Sequence, residues 1–110
     1  MSRATPENRV KKMLDTMLKQ ERVWFFAPQA GPYGHAGIPD RVACVLGSFI
    51  GIECKADASK KPTAIQELCA DRIRASGGTW FLVYDTETIE KVREYIHDRR
   101  RASEGARAQA

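Results

Sequence analysis

The stretch Arg41-Val42-Ala43-Cys44-Val45-Leu46-Gly47-Ser48-Phe49-Ile50-Gly51-Ile52-Glu53-Cys54-Lys55 decides the fold. Its two strand-like runs, 41–46 and 49–54, flank Gly47-Ser48, a pair suited to a two-residue hairpin turn. With that turn Leu46 opposes Phe49, and counting outward sets Val42 opposite Glu53 and Asp40 opposite Lys55. Side chains alternate with a period of two, so Asp40, Glu53 and Lys55 share one face while Ile52 and Cys54 point the other way, into a core. The two carboxylates become diagonal neighbours, about 6 to 8 Å apart at their Cα atoms. A divalent cation with oxygen ligands fits between carboxylates so placed, completed by waters, a backbone carbonyl or a substrate phosphate. Such a metal polarises a phosphate and acidifies a bound water, and a lysine beside it orients that water or offsets charge in the transition state.

Outward from the hairpin, residues 23–27 read as a short strand, and Pro28 to Pro39, with Gly31, Gly34 and Gly37, as a loop. Thr5-Pro6-Glu7 starts a helix over about 6–21, with Thr5 at the N-cap, Pro6 at the first helical position and one apolar stripe of Val10, Met13, Leu14, Met17 and Leu18. Beyond the polar segment 56–62, Thr63-Ala64-Ile65-Gln66 fits a capping box opening a helix that runs to about Ser76, with Gly77 at its end. Residues 79–84 form a fourth strand, and Asp85 or Thr86 caps a last helix bearing Ile89, Val92, Tyr95 and Ile96. The expected architecture is α/β (α+β), a small mixed sheet of about four strands flanked by helices in the order α-β-β-β-α-β-α. Residues 1–101 make a single domain, and 102–110, where the periodicity stops, are expected to be a disordered tail.

Composition agrees. A chain of 110 residues, 43% apolar and 29% charged, with 8 Gly and 5 Pro, suits one small core and excludes a multidomain enzyme or a collagen-like or wholly disordered chain. There is no apolar run near the ~20 residues that span a bilayer and no signal-peptide h-region, so a cytoplasmic protein without a membrane partner is expected. Cys44, Cys54 and Cys69 lack metal-knuckle spacing and read as free core thiols. The net charge of +4 suits a phosphate-bearing partner without identifying one.

Gly37-Ile38-Pro39-Asp40, Glu53-Cys54-Lys55 and Gln66 together resemble the PD-(D/E)XK nuclease superfamily and, within it, the stand-alone VRR-NUC (virus-type replication-repair nuclease) domains of phages and bacteria. A eukaryotic DNA-repair nuclease carries the same module. The resemblance runs from the helix bearing Glu7 to the strand ending at Tyr84, and implies a restriction-endonuclease-like core. It implies that Asp40 and Glu53 bind Mg2+ or Mn2+ with the main-chain carbonyl of Cys54, and that Lys55 serves the water nucleophile. Glu7 matches an acidic position near the metal, and Gln66 a site-supporting or DNA-contacting one. Stand-alone members are similar in acting on four-way DNA junctions as homodimers, which implies a Holliday-junction resolvase. No small-molecule cofactor is implied. A flap- or end-directed nuclease and a non-catalytic nucleic-acid-binding module are the alternatives.

Some of these residues have structural readings as well. Glu7 complements the helix dipole in a first turn, and Gln66 is the return partner of Thr63 in the capping box. Lys60 and Lys61 stand on the presumed substrate side, where phosphate contacts are expected, and Tyr33 and His35 invite a DNA contact from the glycine-rich loop. Arg99-Arg100-Arg101 either touches DNA or closes a helix C-terminus. Trp24, Phe25, Trp80 and Phe81 are read as core or interface packing.

Overall fold

The computed structural model describes residues 5–29 and 36–109. Seven elements follow one another: α1 (Pro6–Gln20), β1 (Trp24–Phe26), β2 (Arg41–Val45), β3 (Ser48–Cys54), α2 (Ala64–Ala75), β4 (Thr79–Val83) and α3 (Thr86–Gln109). The order and the mixed sheet match the sequence expectation. Strands lie in the order β1-β2-β3-β4, antiparallel except that β3 and β4, joined through α2, run parallel.

Local chemistry starts each helix. Thr5 accepts a hydrogen bond from the Asn8 amide at 3.1 Å, and Pro6 sits in the first turn where no donor is lost. Thr63 and Gln66 close both arms of the capping box, at 3.2 and 2.9 Å. Asp85 caps α3, its Oδ1 accepting from the Thr88 amide at 2.8 Å.

One face of the sheet carries Ala43, Val45, Ile50, Ile52, Cys54 and Val83, and α1 and α3 cover it with Val10, Leu14, Met17, Leu18, Ile89, Val92 and Ile96. The other face meets α2 at Gly51, where a Cβ would come within 2.8 Å of Pro39 Cγ and 3.0 Å of Ile73 Cδ1. Only glycine lets α2 and the Pro39 corner approach β3 so closely.

The hairpin turn differs from the expected one. Val45 pairs with Ser48, so the turn residues are Leu46 and Gly47, both left-handed at φ 50° and 83°. That is the mirror-image turn whose twist matches a hairpin, and it places a leucine where glycine or asparagine is usual. The ladder therefore pairs Val42 with Gly51 and Arg41 with Ile52. Every partner moves by two residues from the expected register. A two-residue shift keeps each side chain on its face, so the acidic cluster survives, and one step past Arg41 the ladder sets Asp40 level with Glu53 rather than Lys55.

Two further expectations are corrected. The C-terminal segment is helical: α3 continues past Arg101 to Gln109, without apolar periodicity but with three Ala and one each of Glu, Arg and Gln, good helix formers, against one Ser and one Gly. Helix closure is therefore not the role of Arg99 to Arg101. Arg100 and Arg93, with His97, reach Glu21 after α1 at 3.1, 2.6 and 2.7 Å, clamping α1 to α3. Of the two readings of Trp24, core or interface, the core one is overturned: it lies 67% exposed on the edge strand β1 against Phe26. No described helix is long and apolar enough to cross a membrane.

Candidate active site

The hairpin and α1 deliver charged groups to one cleft of about 270 Å³ lined by Lys11, Pro39, Asp40, Arg41, Glu53 and Gln66, among others. Glu53 is the penultimate residue of β3, one of the two central strands, and is 3% exposed. Its Oε1 accepts from Gln66 Nε2 at 3.3 Å, while its Oε2 is buried with no hydrogen-bond partner. Burial raises its pKa, contact with the Asp40 carboxylate raises it further, and Lys55 opposes them only in part; the result is about 9.

Asp40 sits at the bend entering β2. Its Oδ2 accepts the Cys54 amide at 2.8 Å, which fixes the carboxylate to the end of β3. Arg41 holds the same corner: its guanidinium donates to the Asp40 carbonyl at 2.8 Å and forks onto Asp15 of α1 at 2.7 and 3.0 Å. Planar bidentate pairing of this kind fixes orientation as well as charge.

Lys55 follows β3, its ammonium donating to Gln66 Oε1 at 2.9 Å. Gln66 thus holds three groups: with Oε1 it accepts from Lys55 and from the Thr63 amide, and with Nε2 it donates to Glu53. The helix cap and the charged cluster are one network, so both sequence readings of Gln66 describe its contacts.

Glu7 lies on the first turn of α1, 3.5 Å from Lys11 Nζ, and Lys11 is in turn 3.5 Å from Asp40 Oδ1. Partial burial lowers the Lys11 pKa, but Asp40 and then Glu7 outweigh it and leave it raised. Sequence reasoning passed over Lys11 and Arg41. The signal for Lys11 was its place four residues after Glu7, on the same helix face; Arg41 gave none, because its partner Asp15 is distant in sequence.

Lys60 and Lys61 are exposed on the loop after Lys55, where Asp57 accepts the Ser59 amide at 2.8 Å in a local turn. Tyr33 and His35 lie outside the described residues. The Cys54 thiol points into the core, its pKa pushed up to about 12 by burial and then by Asp40, while its amide serves Asp40.

Among the described residues no group of three or more His, Cys, Asp or Glu side chains forms a metal cage. What exists is a pair, Asp40 and Glu53, in which no donor group reaches the buried Glu53 Oε2 and, without a cation, only a proton shared with Asp40 satisfies it. A buried unpartnered carboxylate oxygen costs stability, and a hard divalent cation that takes one or two carboxylates and fills its remaining positions with water or phosphate would satisfy it. The donor set fits such an ion.

No protein-family model matches the chain, and no curated protein does. A solved structure described as a VRR_NUC domain matches with a TM-score of 0.74 and 26% identity, covering 83% of this chain and 97% of that one. The fold and the family resemblance drawn from Pro39-Asp40, Glu53-x-Lys55 and Gln66 are in agreement with it.

Proposed function

We propose that this chain, a VRR_NUC-type domain by fold, is a metal-dependent nuclease that hydrolyses DNA phosphodiesters, selects branched DNA and resolves four-way junctions as a homodimer. The observation that carries the proposal is the buried Glu53 carboxyl beside Asp40, with no donor group on its Oε2, Gln66 on its Oε1 and Lys55 held by Gln66.

In this reading Asp40, Glu53 and the Cys54 main-chain carbonyl hold Mg2+ or Mn2+. The ion supplies Lewis-acid polarisation of the phosphodiester and a bound water of lowered pKa. The chain's own groups do the rest. Arg41 and the Cys54 amide fix Asp40, so the carboxylate pays no reorientation cost on binding. Lys55, aimed by Gln66 Oε1, stands beside the acidic pair and stabilises the negative charge that grows on phosphorus-bound oxygens as water attacks. Lys60 and Lys61 lie exposed just beyond Lys55, suited to neighbouring phosphates; Tyr33 and His35 would extend that contact.

The homodimer has support in an exposed row across three strands. Trp24, Cys44 and Phe49 are level in the sheet and all exposed, with Phe26 beside them on the open edge of β1. Apolar side chains gathered at a sheet edge suit burial against a second copy.

The test is a gel assay of labelled four-way junction, flap, duplex and single-stranded DNA with Mg2+, Mn2+ or EDTA, paired with light-scattering mass of wild type and Trp24→Glu. Paired symmetric nicks on the junction by a dimer, lost in EDTA, are expected. Preferential cutting of flaps or ends would replace the junction reading. Salt-sensitive binding with no turnover under any metal would leave only a binding module.

A further inference from the structure

We propose that Lys11 is the built-in counter-ion of the acidic pair, standing on Asp40 while no divalent ion is bound and shifting onto Glu7 when one binds. The inference rests on the metal site proposed above and assigns Glu7 a role in holding Lys11 rather than in ligating the ion.

Four observations carry it. The two oxygens of Asp40 face different partners: Oδ2 is committed to the Cys54 amide at 2.8 Å, whereas Oδ1, the oxygen left for a cation, faces Lys11 Nζ. The ammonium lies 3.5 Å from Asp40 Oδ1 and also 3.5 Å from Glu7 Oε2, so it already has a second anion to hold it. Both contacts are longer than a hydrogen bond, in contrast to the Arg41 fork on Asp15 at 2.7 Å. Lys11 compensates charge without locking geometry, as a compact ammonium on a flexible stem does. Finally, the Glu7–Lys11 contact spans four residues of α1, with the acid N-terminal to the base, so it is available whatever becomes of Asp40.

Without Lys11, Asp40 would face Glu53 and Glu7 with no cation of α1 near it. With Lys11, the cluster tolerates the metal-free state, and a divalent ion must displace an ammonium to reach Oδ1. Lys11 therefore tunes divalent affinity downward, and Glu7 limits that effect by offering the ammonium another place.

A double-mutant cycle tests this by calorimetric titration of Mn2+ in the absence of DNA, using wild type, Lys11→Met, Glu7→Gln, the double variant and Asp40→Asn. Lys11→Met is expected to bind Mn2+ about tenfold more tightly, the scale of removing one partly buried charge about 4 Å from the ion's ligand. Lys11→Gln, which keeps a polar tip, is the second variant and is expected to behave alike. Glu7→Gln should weaken Mn2+ binding severalfold when Lys11 is present, because the ammonium then stays on Asp40, and clearly less in the Lys11→Met background, where only the field of Glu7 on the acidic pair is lost. Unchanged or weaker binding by both Lys11 variants overturns the proposal. So does an equal loss from Glu7→Gln in both backgrounds, which would make Glu7 a ligand. Wild-type binding that vanishes in Asp40→Asn keeps the metal site whatever Lys11 does, whereas a wild type that takes up no Mn2+ removes both.

Discussion

Replacing Glu53 with Gln is expected to make the metal-free protein more stable and the nuclease inactive. The folded chain holds this carboxyl at 3% exposure beside Asp40, with its pKa raised by burial and by its neighbour, and brings no donor group to Oε2. A raised acid binds its proton more tightly folded than unfolded. Its stabilising contribution is therefore complete below the unfolded value of about 4.3 and is lost progressively as pH rises toward the folded one. From there to pH 7 the loss is at most about 3.7 kcal/mol, at 1.36 kcal/mol per unit over about 2.7 units. Glutamine keeps the shape, needs no proton and can donate to Asp40. Because the acidic pair shares its proton and the amide fits imperfectly, a net gain of about 2 kcal/mol is expected. In EDTA at pH 7 that raises Tm by roughly 8 °C for a domain of this size. The assay is thermal unfolding of both proteins from pH 5 to 8, with and without Mn2+. Wild type should lose stability as pH rises in EDTA and regain it with Mn2+; the variant should respond to neither. A variant that melts at or below wild type at pH 7, or wild-type stability flat from pH 5 to 8, would refute the reasoning.

Divalent affinity should fall as pH drops from 8 to 6, because the ion must displace the proton held by the acidic pair; calorimetry in two buffers of different ionisation enthalpy reads the proton release directly. Glu21→Gln breaks the clamp on Arg93, His97 and Arg100 and should cost about 1.5 kcal/mol in urea unfolding at pH 7. The His97 hydrogen bond, against the pull of desolvation, lowers the Glu21 pKa, and Arg93 lowers it further. That stability is present above the unfolded carboxyl pKa and disappears as pH falls through the folded value, so the variant's deficit should vanish in acid. Gly51→Ala drives a Cβ into the Pro39 ring and should cost about 2 kcal/mol while displacing Asp40, so that Mn2+ affinity falls with stability.

What the sequence made legible was local. Thr5-Pro6, the Thr63–Gln66 box and the apolar runs around the hairpin each state their structure within a few residues, and the element order follows from them. The turn misled because glycine at its first position is a strong signal, whereas the chain puts Leu46 into the left-handed region ahead of Gly47. The acidic cluster survived the error because an even slip preserves faces. Trp24 read as core or interface because aromatic residues usually are; its exposure, which excludes the core, comes from β1 being an edge strand whose outer face α2 leaves open. The end of α3 was lost for the opposite reason, since helix propensity persists there without the periodicity that betrays packing. The roles of Lys11 and Arg41 depend on α1 meeting the Asp40 corner, and the place of Glu53 on α2 bringing Gln66 against it, contacts between separate segments of the chain.

The central claim is that Asp40, Glu53 and Lys55 together carry metal-dependent phosphodiester hydrolysis. Single-turnover cleavage of a labelled four-way junction by wild type, Asp40→Asn and Lys55→Ala, each shown folded by circular dichroism, tests it most directly. The account predicts cleavage by wild type in Mg2+ or Mn2+ and none in EDTA. It also predicts at least a hundredfold loss in both variants, with junction binding by Lys55→Ala reduced only modestly. Cleavage by either variant at the wild-type rate, or undiminished wild-type cleavage in EDTA, would contradict it.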